Sequence, residues 1–390
     1  MRRFDTAERR RRLGVRHALA APVGTPEEVT AAVTALHSTD PASMMLSVLA
    51  RMAEPSVSEV ERALYDDRTL VRLLVMRRTV FAVPVADAGA YLGATRQSVA
   101  ESEYRKLVAL VAGSALAAPE QWLERAHASA LAAVDRLGVF SSADLAASDP
   151  LLATRIEISA GTRYATRQSI ASRLLTVMSA QGHVVRARPA GTWASTQFRW
   201  SSMRHWLPQL TDVPDAEEAR ALVARRWLAR FGPARPEDLK WWTGWTKGHT
   251  IAALARLETA EVELDDGTGL VLADDLDPTP EPEPWVALLP ALDPTTMGWK
   301  HRDWYLGPHA DQVFDTNGNA GPTVWKDGQI VGGWAIRDDG TVAVRLLTDV
   351  GAEAAAAIEA RAHDLETQLA GTVIKARARG WSPVERDLRD

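Results

Sequence analysis

No cysteine occurs in the 390 residues. That absence excludes disulfides, thiolate metal sites, cysteine-held iron–sulfur clusters and a cysteine nucleophile. Long apolar runs are missing as well: the longest weakly polar stretch, Leu107–Pro119, falls far short of the ~18 apolar residues that a membrane span requires. The opening MRRFDTAERRRR is not followed by an apolar segment of signal-peptide type, and residues 27–39 are amphipathic. A cytoplasmic protein is therefore expected. HExxH, GxxxxGK(S/T) and a GxGxxG between a strand and a helix are all absent, so neither a metal nor a cofactor is expected.

What is present is a globular composition, with 46% hydrophobic and 24% charged residues. The length predicts two to four domains or repeated modules. The net charge of −5 hides an asymmetry. Residues 1–200 hold 25 Lys and Arg against 19 Asp and Glu, which leaves 20 against 31 for residues 201–390. A positive half suits a face for a polyanion, although surplus arginine is also an ordinary solvated surface.

Three times the chain runs through helical segments, reaches a helix with polar or basic residues on one side, and turns into a short β-ribbon. The middle copy is the clearest. Helices are expected at Pro119–Leu137, Ala143–Ala147 and Tyr164–Gln181, the last from the apolar period Ile170, Leu174, Leu175, Val177, Met178 and its stop at Gly182. His183–Arg188 and Thr192–Trp200 supply a hairpin. The third copy has helices at Ala216–Phe231, Arg235–Trp242 and Thr246–Glu258, then a hairpin around Asp265-Asp266-Gly267. In the first copy, helices are expected at Thr6–Ala20, Pro26–Leu36, Pro41–Met52 and Ser58–Leu74, followed by a β-prone Thr79–Val83. After a Pro-rich linker, Trp285–Leu289, Pro322–Trp325, Ile330–Ile336 and Val342–Leu347 read as strands joined by Asp-Gly turns, closed by a helix at Ala352–Leu369. The expectation is an α+β, mainly helical chain. It comprises three tandem winged-helix modules (1–118, 119–212, 213–277) and a small C-terminal β-barrel-like domain (285–390).

One short non-periodic stretch stands out, Leu36-His37-Ser38-Thr39-Asp40-Pro41. If it is extended, His37 and Thr39 project to one side and Ser38 to the other. Asp40 also has a structural reading, since Asp at N-cap and Pro at N1 start a helix well, and a linker histidine is ordinarily just hydrogen-bonded. A second group of residues suits phosphate contacts in a groove: Arg163, Arg167, Gln168 and Arg173 on or beside the third helix of the middle copy, with Arg186, Arg188 and Trp193 on its hairpin. Lys300, His301 and Arg302 mix charge with the neighbouring Trp304. Trp241, Trp242 and Trp245 read as packing residues. Asn317-Gly318-Asn319 and Gly321-Pro322 read as turns.

With these segments in view, the chain resembles the AlkZ/YcaQ-like family of winged-helix DNA glycosylases. The likeness rests on Leu36–Pro41, on RFGPARPEDLKWWTG at Arg230–Gly244, on LLPALDPTTMG at Leu288–Gly298 with Lys300–Asp303, on FDTNGNAGP at Phe314–Pro322 and on DGQIVGGW at Asp327–Trp334. It implies tandem winged helices and a C-terminal barrel around a DNA channel, and excision of bulky or crosslinked N7-alkylpurines. The family's catalytic motif carries Gln, one residue, then Gln or Asp; here His37 and Thr39 stand at those positions, followed by Asp40. Neutral His accepts a proton from water, and the Thr hydroxyl holds that water or a sugar oxygen. The nearest lysine in sequence is Lys106, so no Schiff-base nucleophile adjoins the motif. The partner implied is damaged duplex DNA, met by a nucleoid-associated monomer. The alternative is a winged-helix DNA-binding protein without catalysis.

Overall fold

Capping chemistry sets many of the helix boundaries. Thr25 and Glu28 form a reciprocal capping box at the start of helix Pro26–Ala32, and Ser141 with Asp144 does the same for Ser142–Ala147. Asp40, Asp149 and Asp215 each accept a backbone N–H at the start of their helices, which satisfies donors that the first turn leaves unpaired. The computed structural model describes residues 1–114, 116, 118–158, 165–191, 197–370, 372 and 380–390. About half of the chain is helical, and the rest includes five small sheets. None of the described helices is long and apolar enough to cross a membrane.

Several expected elements appear with the expected bounds, among them Pro119–Leu137, Ala216–Phe231 and Ala352–Leu369. Others differ. The segment read as helix Ser58–Leu74 is a helix only to Asp66, and Leu70–Leu74 is a strand paired with Val80–Pro84. A short apolar run fits a buried strand as well as a buried helix, and here Leu70, Val71 and Leu73 are buried on both faces. The helix expected over Tyr164–Gln181 begins only at Ile170, where its apolar period begins; Thr166–Ser169 is a strand paired with Arg155–Ile158. Helix Ala88–Ala112 was not expected at all. It packs between helices Ala216–Phe231 and Ile170–Ala180, so its buried residues include Ala90, Tyr91, Ala94 and Thr95 and trace no single stripe.

The C-terminal strands form an open antiparallel sheet in chain order: Val286–Leu289, Thr323–Lys326, Gln329–Ile336, Val342–Leu346. This corrects the expected barrel. The two outer strands do not pair with each other among the described residues, and helices Ala352–Leu369 and Pro383–Arg389 pack on the sheet, so its apolar surface is covered without closure. The first strand of the chain, Arg3–Phe4, lies parallel to Thr259–Leu264 of the hairpin that ends at Leu272. One apolar core runs from Leu13 to Leu388, whereas Leu107 to Val184 build a second one around the middle helices. Rings link the third helical segment to the C-terminal region: Trp227 stacks on Phe231 at 5.4 Å, and Phe231 meets Trp299 at 5.0 Å.

The same junction carries a fully buried ion pair. Arg51, just past helix Pro41–Leu49, donates to both oxygens of Asp293 at 2.8 and 2.7 Å. Its remaining donors go to the His17 carbonyl, the Ser47 carbonyl and Thr295 Oγ1. Asp293 in turn accepts from the Ser47 hydroxyl and the Thr295 backbone. His17, buried beside Arg51, has its imidazole pushed well below the ordinary histidine range by burial and by that charge, and it shares a hydrogen bond with Thr295 Oγ1. Removing one member of such a pair strands the other charge in the interior, at about 3–5 kcal/mol. Asp293→Asn and Arg51→Met are expected to lose stability of that order, measured as a lower urea midpoint at unchanged slope. The double variant Arg51→Met/Asp293→Leu is expected to recover part of the loss.

Candidate active site

Leu36–His37 is the edge strand of the sheet that also holds Val80–Pro84 and Leu70–Leu74, with His37 opposite Phe81. The two rings meet edge to face at 5.7 Å. Beyond the strand, the Ser38 N–H donates to the Val80 carbonyl, and the Thr39 hydroxyl accepts the Val80 N–H at 3.2 Å. Ser38 is completely buried, its hydroxyl 3.6 Å from Met44 Sδ. Asp40 then caps helix Pro41–Leu49 by accepting from the Ala42 N–H at 3.0 Å, with Pro41 at N1. Extended backbone thus sends Ser38 inward, while His37, Thr39 and Asp40 all line one cleft.

That cleft holds about 170 Å³ of space. Its near wall is the His37–Asp40 segment with Phe81 and Trp242; the far wall comes from the C-terminal region, notably Asp315, Trp381 and Glu385. The two far-wall carboxyls live in opposite environments. Burial raises Asp315, but the Asn319 amide and the backbone N–H groups of Asn317 and Asn319 outweigh it, so its carboxyl stays below the ordinary range. Glu385 has fewer such donors, the Ser382 backbone N–H being the one that acts on it. Burial pushes it up to about 7, against smaller opposing effects of the Arg389 charge and the Ser382 backbone. Environments that drive two carboxyls apart leave one anionic and one able to carry a proton near neutral pH.

Two glycines let the helix bearing Glu385 come this close. A Cβ on Gly321 would lie 2.3 Å from Ser382 Oγ and 3.3 Å from Glu385 Oε2, and one on Gly333 would lie 2.4 Å from Val384 Cγ1. Arg77, which lines the cleft, and Arg302 both lie over Trp241, at 4.7 and 5.2 Å from the ring centre. Arg302 also lies over Phe314. Arg77 lines the cleft with backbone in the left-handed region, and burial, then Arg302, lowers its guanidinium below the ordinary arginine range.

The other expected DNA contacts scatter. Arg167 is exposed, but on the Arg155–Ile158/Thr166–Ser169 hairpin and not on a helix; Gln168 is beside it, half-buried. Arg173 is on helix Ile170–Ala180, half-buried where burial and Arg78 lower its guanidinium and Glu103 opposes them. Arg186 lies over Phe198 at 3.8 Å and near Trp200. Arg188 is held by Glu61 and Asp66. Lys300 is exposed, whereas His301 and both backbone N–H groups of Lys300 and His301 engage the buried Asp238. Arg163 and Trp193 lie outside the described residues. Of the expected sites, His37, Thr39 and Asp40 come together in the cleft, and Arg302 reaches Met297, another residue that lines it.

A family model described as DNA glycosylase AlkZ-like matches residues 30–367. The chain belongs to the AlkZ-like DNA glycosylase family. Among solved structures it is similar to the Streptomyces sahachiroi DNA glycosylase AlkZ, with a TM-score of 0.74 at 19% identity over 95% of this chain and 98% of that one. At that identity the likeness is one of fold. No protein of curated function matches the sequence. As a member of this family the protein is a DNA glycosylase, and its substrate is DNA.

Trp381 and Glu385 of the cleft were not singled out from sequence. Nothing in SPVERDLR marks a carboxyl that will be buried; the glycines of FDTNGNAGP and DGQIVGGW, which admit its helix, read only as turns and strand. Since the Glu385 carboxyl ionises higher in the folded chain than in the unfolded one, its contribution to stability is complete below the ordinary carboxylate value and is lost as pH rises through about 7. The urea midpoint is expected to fall between pH 5 and pH 8, and Glu385→Gln is expected to remove that part of the fall.

Proposed function

We propose that the protein is a monofunctional DNA glycosylase that hydrolyses the N-glycosidic bond of bulky or crosslinked N7-alkylpurines in duplex DNA, as a monomer acting on nucleoid DNA in the cytoplasm. The observation that carries this reading is the placement of His37, Thr39 and Asp40 together on one wall of a half-enclosed cleft lined by aromatic rings. Alkylation at N7 makes guanine cationic and a good leaving group. The enzyme then has mainly to support a sugar that becomes oxocarbenium-like and to aim a water at C1′. In the proposed mechanism neutral His37 accepts a proton from that water or orients it. The Thr39 hydroxyl, already accepting from Val80, still has its hydrogen to give to the water or to a sugar oxygen.

The three helix-to-ribbon units are read as winged-helix modules spanning 1–118, 119–212 and 213–277, with the C-terminal region 285–390 completing the DNA channel. In this arrangement the exposed Arg167 is the phosphate contact best placed in the middle unit. A second reading, DNA binding without catalysis, is favoured by the bonds that already occupy Thr39 and Asp40.

Incubation with N7-methylguanine DNA and with an interstrand-crosslinked duplex separates the two: free base and abasic sites are expected, and DNA binding without turnover on either would favour the second. His37→Ala is expected to slow single-turnover excision toward the low end of about 10²–10⁴-fold with duplex affinity nearly unchanged. Thr39→Val is expected to lose activity, and Ser38→Ala is expected to matter little. Arg167→Ala is expected to weaken binding to all sequences and to flatten the log–log salt dependence by roughly 0.9. Arg188→Ala is expected to leave that slope unaltered, because its guanidinium is already paired with Glu61 and Asp66.

A further inference from the structure

Glu385 lies beyond the residues matched by the family model, which end at 367, yet it shares a cleft with His37. It is 4% exposed, on the helix Pro383–Arg389 that packs on strand Gln329–Ile336. Beside it, Trp381 also lines the cleft, and its indole Nε1 is buried without a hydrogen-bond partner. Among the described residues, the charged and titratable groups about Glu385 start with its own helix, which supplies Arg386, donating to the Trp381 carbonyl, and Arg389, which leans over Trp381 and reaches toward Asp338. The neighbouring loop supplies Asp315, and His37, Asp40 and Arg77 line the cleft with it. Arg345 on the adjoining strand is paired with Asp387, Arg337 binds the Leu388 carbonyl, and Asp311 on helix Ala310–Val313 is exposed. No cation forms an ion pair with the Glu385 carboxyl among the described residues.

We infer that the Glu385 carboxyl is a hydrogen-bond donor to an acceptor atom on the departing purine, and so a further catalytic residue of the proposed excision. The inference rests on the glycosylase reading above. As the C1′–N9 bond breaks, its electron pair leaves on the purine. A water oxygen bonds to C1′ and its proton passes to His37. Glu385 keeps its own proton and donates to the base, which gains electron density as it leaves; a bond that strengthens on the way to the transition state accelerates the step. Burial, which holds the carboxyl protonated up to about pH 7, gives the cleft a donor in neutral solution. His37 must be deprotonated and Glu385 protonated, so a bell-shaped profile follows.

The test is single-turnover excision of N7-methylguanine from duplex DNA between pH 5 and 9, with wild type, Glu385→Gln and Glu385→Ala, each first shown to be folded by urea titration. For wild type the rate is expected to rise as an imidazole loses its proton and to fall again as pH passes about 7. Glu385→Gln carries a donor at every pH; its rate is expected to stay near the wild-type maximum and its falling limb to disappear. Glu385→Ala is expected to be slower by roughly tenfold, the scale of one hydrogen bond. A falling limb that persists in Glu385→Gln overturns the inference while leaving the glycosylase reading intact, as does an unchanged rate in Glu385→Ala. Wild-type protein that binds the duplex but releases no base at any pH overturns the glycosylase reading and the inference with it. If Glu385→Ala fails to fold, the isosteric Gln variant decides alone.

Discussion

The bidentate pair between Arg51 and Asp293 is the constraint on which the rest of the structure depends. Two fully buried opposite charges tolerate almost no displacement, because each loses its compensating charge if the other moves. Arg51 closes the helix that Asp40 begins, and Asp293 stands in the loop that contributes Leu292 and Pro294 to the cleft. The near and far walls of the cleft are thereby fixed to one another although some 240 residues separate them in sequence. Ser47, His17 and Thr295 complete the hydrogen bonding, so the first helices and the C-terminal region meet through polar groups that are satisfied by one another.

Around this fixed junction the cleft combines groups that would neutralise one another in water. Asp315 is kept anionic by backbone and amide donors, while Glu385 is kept from ionising by burial. Arg77 of the cleft and Arg302 beside it are held over Trp241. A base entering such a space would meet aromatic surface, a carboxylate and a carboxyl in different protonation states, and the guanidinium of Arg77. For a leaving group that begins positively charged and ends neutral, an anionic carboxylate favours the bound substrate, whereas a donor favours the product-like base. Their separation on one wall lets each act at its own stage.

Much of the fold was legible in the sequence because its signals are local. Apolar period marked Pro119–Leu137 and Ala216–Phe231; Asp-Gly turns marked the hairpin at 259–272 and the C-terminal sheet; Asp40-Pro41 marked a helix start. Failures came where the deciding contact was distant. Leu70–Leu74 is apolar enough for either helix or strand, and pairing with Val80–Pro84 selects strand. Ala88–Ala112 has no apolar stripe to read because it is covered from two sides. Among the described residues the sheet expected to close stays open, and two helices supply the cover that closure would have given.

By itself the sequence determined which residues could do chemistry at the His37–Asp40 segment and, through alternation along extended backbone, that His37 and Thr39 would share a side while Ser38 faced inward. It also determined that neither disulfide nor cysteine-held metal could be involved. Only the tertiary structure decided what stands opposite that segment. A carboxyl's protonation depends on how much water and how many donors surround it, and these belong to the packing of the last helix against glycines that precede it by some 50 residues and more. Tertiary contacts elsewhere decided which cations remain available to a polyanion: Arg167 and Arg188 look alike as letters, but one ends in solvent and the other between two carboxylates. Residue type fixes what a side chain is able to donate or accept; its surroundings in the folded chain fix whether that capacity is already spent.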